Sequence, residues 1–121
     1  MPKSVEDMVV IGESPFEVED YLPAAEKILG GNPQQRVENY YTDPTGVFST
    51  GVWYSEHGEV RITYTEEEFC HILSGVVELR DDSGATRRFT AGDNFVIPAG
   101  FEGVWATIKK ASKIYVIYEK D

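Results

Sequence analysis

Two stretches decide how this chain folds: Glu68-Phe69-Cys70-His71-Ile72-Leu73-Ser74-Gly75, and Gly92-Asp93-Asn94-Phe95-Val96-Ile97-Pro98-Ala99-Gly100. Each is a short apolar run bounded by glycine. Gly75 marks a point where the chain needs a positive φ or passes too close to a neighbour for a Cβ. Gly92-Asp93 reads as a tight turn of the same kind. Pro98 ends a strand because it has no N–H to give to a ladder.

Working outward, the text from Val47 onward repeats this pattern. Short runs rich in Val, Ile, Tyr, Phe and Trp alternate with turn residues at His57-Gly58, Asp82-Ser83-Gly84, Ala91-Gly92-Asp93 and Pro98-Ala99-Gly100. The pattern predicts strands over 36–42, 47–54, 59–65, 68–74, 76–80, 86–90, 93–97, 103–109 and 112–119. Close, regular strand spacing with glycine turns indicates an antiparallel sandwich or barrel. Before Val47 the text is mixed. Ser4 with Asp7 caps a short turn. Pro23-Ala24-Ala25-Glu26-Lys27-Ile28-Leu29 reads as a small helix with proline in its first turn and Gly30-Gly31 at its end. The expectation is one domain: an N-terminal extension, residues 1–46, packed on a barrel core, residues 47–121.

The chain has 121 residues, enough for one core without staples. Its 11 basic against 21 acidic residues give a net charge of −10 and no basic stripe, so nucleic acid and anionic membranes are poor partners. A single cysteine, Cys70, cannot form an internal disulfide. Nothing near Met1–Ile11 reads as a signal peptide or membrane span, so the expected location is the cytoplasm. Phosphate-cradling glycine loops, Cys/His zinc spacings and a Gly-x-Ser-x-Gly elbow are all missing from the sequence.

The two stretches resemble the motifs of the cupin superfamily. In the first motif an H-x-H pair is followed by three or four residues, a glutamate, six residues and a glycine. Glu68 and Gly75 match the last two. In the second, a glycine, five residues and P-x-G precede a histidine and an asparagine. Gly92 and Pro98-Ala99-Gly100 match it position for position. With Gly51-Val52-Trp53, Trp105 and Lys113-Ile114-Tyr115, the wording is similar to the ureidoglycine aminohydrolase-type cupin domains, a branch that includes an ethanolamine-utilisation cupin. The resemblance covers roughly residues 47 to 119. It implies an all-β double-stranded β-helix, a jelly-roll barrel, with a site in its lumen.

The same resemblance implies a metal held by imidazoles and a carboxylate, and here the sequence departs from it. The register puts Arg61 and Thr63 at the H-x-H positions, Gly103 at the later histidine and Thr107 at the asparagine, leaving Glu68 alone. The expectation is therefore no metal at the usual site, with Arg61 paired to Glu68 across the lumen. Strand alternation argues against placing Arg61 and Thr63 in the lumen, since Val60, Ile62 and Tyr64 form the apolar face. The motif register is preferred, which leaves an apolar outer face for a homodimer partner to cover.

The leading expectation is a cupin that binds a small polar or anionic metabolite. Arg61 anchors an anionic group, Thr63 and Glu68 supply polar contacts, Trp105 and Tyr115 form walls, and Cys70 lies beside Glu68 as a buried, inert thiol. Glu68 is the best catalytic candidate. One alternative is a metal-dependent, aminohydrolase-like enzyme acting on an amino or ureido compound, with a divalent metal on a relocated set such as Glu68 with His57 or Cys70. His57 is expected at the barrel rim, and His71 on the face opposite Glu68. The other alternative is a purely structural dimeric barrel.

Overall fold

A computed structural model describes residues 2–120, and its architecture is the all-β jelly-roll barrel that the resemblance implies. Among the described residues nine strands run in chain order: β1 (Glu17–Tyr21), β2 (Ile28–Gly31), β3 (Gln35–Thr42), β4 (Phe48–Ser55), β5 (Gly58–Thr63), β6 (Glu67–Asp81), β7 (Thr86–Thr90), β8 (Asn94–Ile97) and β9 (Glu102–Tyr118). No helix among the described residues is long and apolar enough to cross a membrane.

The antiparallel pairings fold one continuous ladder into two facing sheets. The first sheet runs β1-β3-β4, then the C-terminal half of β9, the N-terminal half of β6, and β8. The second runs β2-β5, then the N-terminal half of β9, the C-terminal half of β6, and β7. The long strands β6 and β9 thus belong to both sheets and bend between them. The bend is a run of register shifts from Ile72 to Val77, and such bulges sharpen the local turn. Gly75 sits in it at φ +87°, and a Cβ there would lie 2.2 Å from the Lys110 carbonyl oxygen. The glycine is required on both counts expected from the sequence. Its runs 68–74 and 76–80 are accordingly halves of one bent strand, as are 103–109 and 112–119.

Two elements near the N-terminus differ from the sequence reading. In place of a helix over Pro23–Leu29, a single 3-10 turn spans Ala25–Lys27 and the chain continues as β2 along β5. Nucleating so short a helix is unfavourable. The open edge of β5 offers ladder partners instead, and Gly31, at φ +71°, lets the two backbones close up. A Cβ on Gly31 would lie 2.7 Å from the Gly58 Cα. The strand β1 is unexpected because Glu17, Glu19 and Asp20 are poor strand formers, yet an edge position leaves such side chains in water. The Ser4–Asp7 capping box is present.

Side chains from both inner faces fill the space between the sheets. Trp53 of the first sheet meets Trp105 of the second edge to face at 5.1 Å. Phe95 of β8 stacks on Phe89 of β7 with ring centres 3.8 Å apart. Together with buried Ile72, Val77, Leu79 and Ile97 these close one side of the barrel. The other side remains open.

Candidate functional site

Cross-strand register decides which side chains reach the lumen, because residues directly opposite each other share a face. One row of the first sheet reads Val37, Trp53, Lys113, Ile72; the next reads Asn39, Gly51, Tyr115, Cys70, Phe95; the third reads Ser49, Ile117, Glu68, Ile97. Glu68, Cys70, Trp105 and Tyr115 therefore all point inward, and each is 6% exposed or less. The row of the second sheet through Trp105 contains Val60 and Leu79, and the next pairs Ile62 with Gly103.

Arg61 and Thr63 consequently lie on the opposite face, and the expectation that they enter the lumen is corrected. The alternation of Val60, Ile62 and Tyr64 is the true register: Ile62 and Tyr64 pack against the core. Arg61 instead forms a two-pronged pair with Asp82, at 2.5 and 3.0 Å, and reaches Glu102 at 3.8 Å. Arg61 and Thr63 still border the cavity. The outer face of this sheet is not apolar either: it carries a ladder of Glu59, Arg80, Glu78 and Arg88. The premise that this face needs a cover is removed with it.

The cation that does meet Glu68 is Lys113. Its Nζ lies 3.0 Å from Glu68 Oε2, and both side chains are 5% exposed. The ammonium also donates to Cys70 Sγ at 3.5 Å and sits over the rings of Trp105 and Trp53, 4.1 and 4.8 Å from their centres. The Tyr64 hydroxyl donates to the other carboxylate oxygen, Oε1. Burial, the largest single influence, would push the Lys113 pKa down, but Glu68 and Cys70 together outweigh it and hold the amine above its ordinary value, so it is charged at neutral pH. Burial pushes the Cys70 thiol up to about 12 against the pull of Lys113, which fits an inert sulfhydryl. Burial, reinforced by the negative charge of Glu68, also raises Tyr64 well above 10.0.

A cavity of about 490 Å³ opens above this pair. Trp53, Trp105, Tyr64 and Tyr115 supply its walls, and Tyr21 and Lys27 from the N-terminal segment stand at its mouth. The walls are fixed by hydrogen bonds to neighbouring side chains within the barrel. Trp53 Nε1 donates to Gln35 Oε1 at 3.0 Å, Trp105 Nε1 to Thr107 Oγ1 at 3.1 Å, and the Tyr115 hydroxyl to Asn39 Oδ1 at 2.7 Å. Gly51 makes room for that phenol: a Cβ on it would lie 2.7 Å from the Tyr115 oxygen. Among the described residues every buried side-chain nitrogen and oxygen has a partner.

The residues present do not fit the metal that the fold family implies. With three residues before Glu68, the H-x-H positions fall on Ile62 and Tyr64, which do face inward. The first offers no donor atom. The second offers a phenol held protonated. At the later histidine position stands Gly103, where even a Cβ would lie 2.1 Å from the Arg80 carbonyl oxygen. The relocated set is not assembled. His57 is exposed at its turn, and His71 bonds Asn94 on the outer face at 2.6 Å. Cys70 is fully buried. No three His, Cys, Asp or Glu side chains converge among the described residues.

Lys113, Trp53, Tyr64 and Gln35 are the site residues that sequence reading missed. The signal for Lys113 was present: it is two residues from Tyr115 and so shares its face.

The fold has relatives of known structure. A protein of unknown function from Pseudomonas syringae pv. tomato aligns with TM-score 0.75 at 21% identity, covering 84% of this chain and 44% of its own. The Clostridium difficile EutQ protein aligns with TM-score 0.66 at 19% identity, covering 74% and 65%. A putative ethanolamine utilization protein from Salmonella typhimurium gives 0.65 at 21%, covering 73% and 72%. The chain thus spans less than two thirds of the first two proteins. No curated protein matches it in sequence. Residues 42–115, more than half of the chain, match the model of the EutQ-like cupin domain, and the chain belongs to that family.

Proposed function

We propose that this cupin binds a small, neutral polar molecule in its lumen. The observation that carries the proposal is the cavity of about 490 Å³ with aromatic walls and a buried Lys113–Glu68 pair at its base. Binding pockets of this kind combine apolar walls with a few placed polar groups. The pair is neutral as a whole, and Arg61, the expected anchor for an anion, is engaged outside by Asp82 and Glu102. A carboxylate ligand would meet Glu68 at the base, where Lys113 is already paired; the other lining lysine, Lys27, stands away at the mouth. Amides, ureido compounds and alcohols meet no such repulsion. Of the amino or ureido compounds that the family resemblance implies, the ureido ones stay within this class, and Glu68 and Tyr64 are the groups nearest to proton-transfer work.

Exposed Phe69, Leu73 and Val96 on the outer face of the first sheet support pairing of two copies as part of the same proposal. Sedimentation velocity measures it, with a monomer at all concentrations as the contrary result.

The chain has two tryptophans, and both line the cavity. Their indole N–H signals in a 15N spectrum therefore report on it directly. Millimolar acetamide, hydroxyethylurea, ethylene glycol, acetate and lactate serve as probes. The expected result is movement of the indole signals with the neutral compounds and none with the two carboxylates. If no compound moves either signal, and extracts of the purified protein release no small molecule, the proposal fails. Shifts with the carboxylates alone would restore the anionic class.

A further inference from the structure

We infer that the Lys113 ammonium takes the place of a metal ion in this barrel, supplying the lumen with a built-in cation. The inference does not depend on which ligand, if any, enters the cavity.

Glu68 is the one metal-ligand residue that the cupin motif and this chain share. A carboxylate that ligates a metal has its lone pairs committed to that cation. Here Oε2 is committed to Lys113 Nζ at 3.0 Å and Oε1 accepts from Tyr64. The remaining motif positions have changed in the way a resident ammonium requires. Ile62 packs into the core where an imidazole would stand, and Gly103 leaves no room for any side chain. Tyr64 becomes a donor, which serves a carboxylate and opposes a metal.

Lys113 is positioned for this from the neighbouring strand. Its cross-strand neighbours on the same face are Trp53 and Ile72, and its Nζ lies over both indole rings. Indole faces and a carboxylate together solvate a cation that is 4% exposed. They are poor company for a divalent metal, which would also be repelled by the ammonium itself. Every buried polar atom near Glu68 already has a partner within the described chain.

The test uses metal content as its readout. Untagged protein incubated with manganese, iron, nickel or zinc and then desalted should hold less than about a tenth of an equivalent by elemental analysis. The variant Ile62→His/Tyr64→His places two imidazoles at the motif positions beside Glu68 and is expected to stay equally metal-poor while Lys113 is present. Adding Lys113→Ala should raise the content to about one equivalent, a roughly tenfold gain, and metal should then raise the melting temperature. Stoichiometric metal in the parent protein overturns the inference, and that measurement needs no variant to fold. Uptake by the double-histidine variant with Lys113 intact overturns it as well. So does a triple variant with a wild-type circular dichroism spectrum that takes up none.

Discussion

The lumen and the outer face of the second sheet each set a basic side chain against carboxylates, on strands that are neighbours in the same ladder. Inside, Lys113 and Glu68 are each 5% exposed. Outside, Arg61 is 38% exposed and Asp82 62%. By geometry the outer pair is the better one, short and two-pronged, and the inner pair is a single contact. Energetically the order reverses. Water screens and competes for the outer pair, so making or breaking it changes little. The inner pair has given up its hydration, so removing one partner strands the other. What the contrast teaches is that burial, and not the quality of the hydrogen bonds, ranks the charges of this protein.

The most disruptive way to challenge that ranking is Lys113→Met, which leaves the Glu68 carboxylate buried without its cation. Urea denaturation should show a loss of about 3–5 kcal/mol; a loss below about 1 kcal/mol would show that the inner pair behaves like the outer one. Lys113→Met/Glu68→Gln removes both charges while keeping an acceptor for Tyr64. It should recover at least half of the loss, and a double variant as weak as the single would assign the cost to packing.

Alkaline pH probes the same pair without mutation. Lys113 is held above 10.5 in the fold, and Tyr64 well above 10.0. A lysine with a raised folded pKa contributes stability that is complete below about pH 10.5 and is lost as pH climbs through the folded value. A buried tyrosine acts in the same direction, because the unfolded phenol ionises first. The urea midpoint should fall steeply above about pH 10, and less steeply in the charge-free double variant. A flat profile up to about pH 11 contradicts it.

A smaller effect concerns the thiol that shares the inner cation. With its pKa pushed up to about 12 and no exposed surface, Cys70 should not react with Ellman's reagent at pH 8 in the folded protein, roughly the pH of ordinary use, and should react fully in urea. Rapid labelling of folded protein would mean that the lumen opens to solvent around Lys113. Smallest of all, Arg61→Ala should leave the urea midpoint where it is and leave the tryptophan signals in place. A clear shift in either would return Arg61 to the working part of the molecule.

The sequence was informative where a residue type has one physical use. Gly75, Gly92 and Pro98 punctuate the chain because backbone geometry allows little else there, and from them the barrel follows. Glu68 and Cys70 share an inward face because strand side chains alternate. The same alternation on Val60, Ile62 and Tyr64 pointed to the correct register, and the motif spacing, which tolerates three or four residues, overrode it. That one-residue choice moved Arg61 from water into the lumen. Lys113 was passed over for a different reason, although its spacing from Tyr115 put it on the inward face. A lysine in a strand reads as a solvent-facing residue until its cross-strand partners are known, and the partner charge lies 45 residues away on β6. The strands β1 and β2 escaped because acidic and glycine-rich edges lack strand propensity and are held by their neighbours alone.

The placement of Lys113 on β9 and Glu68 on β6 has a consequence for how the chain reaches its fold. These are the two long strands on which both sheets are built, and their pairing aligns residues far apart in sequence. A slip of one residue between them would turn the Lys113 side chain outward while Glu68 still faced in. The mispaired barrel would then enclose a naked carboxylate, at a cost comparable to the stability of a domain this size. The ion pair therefore bears on pairing more than on stability: relative to an apolar pair it adds little to the correct fold, while it penalises this one-residue slip.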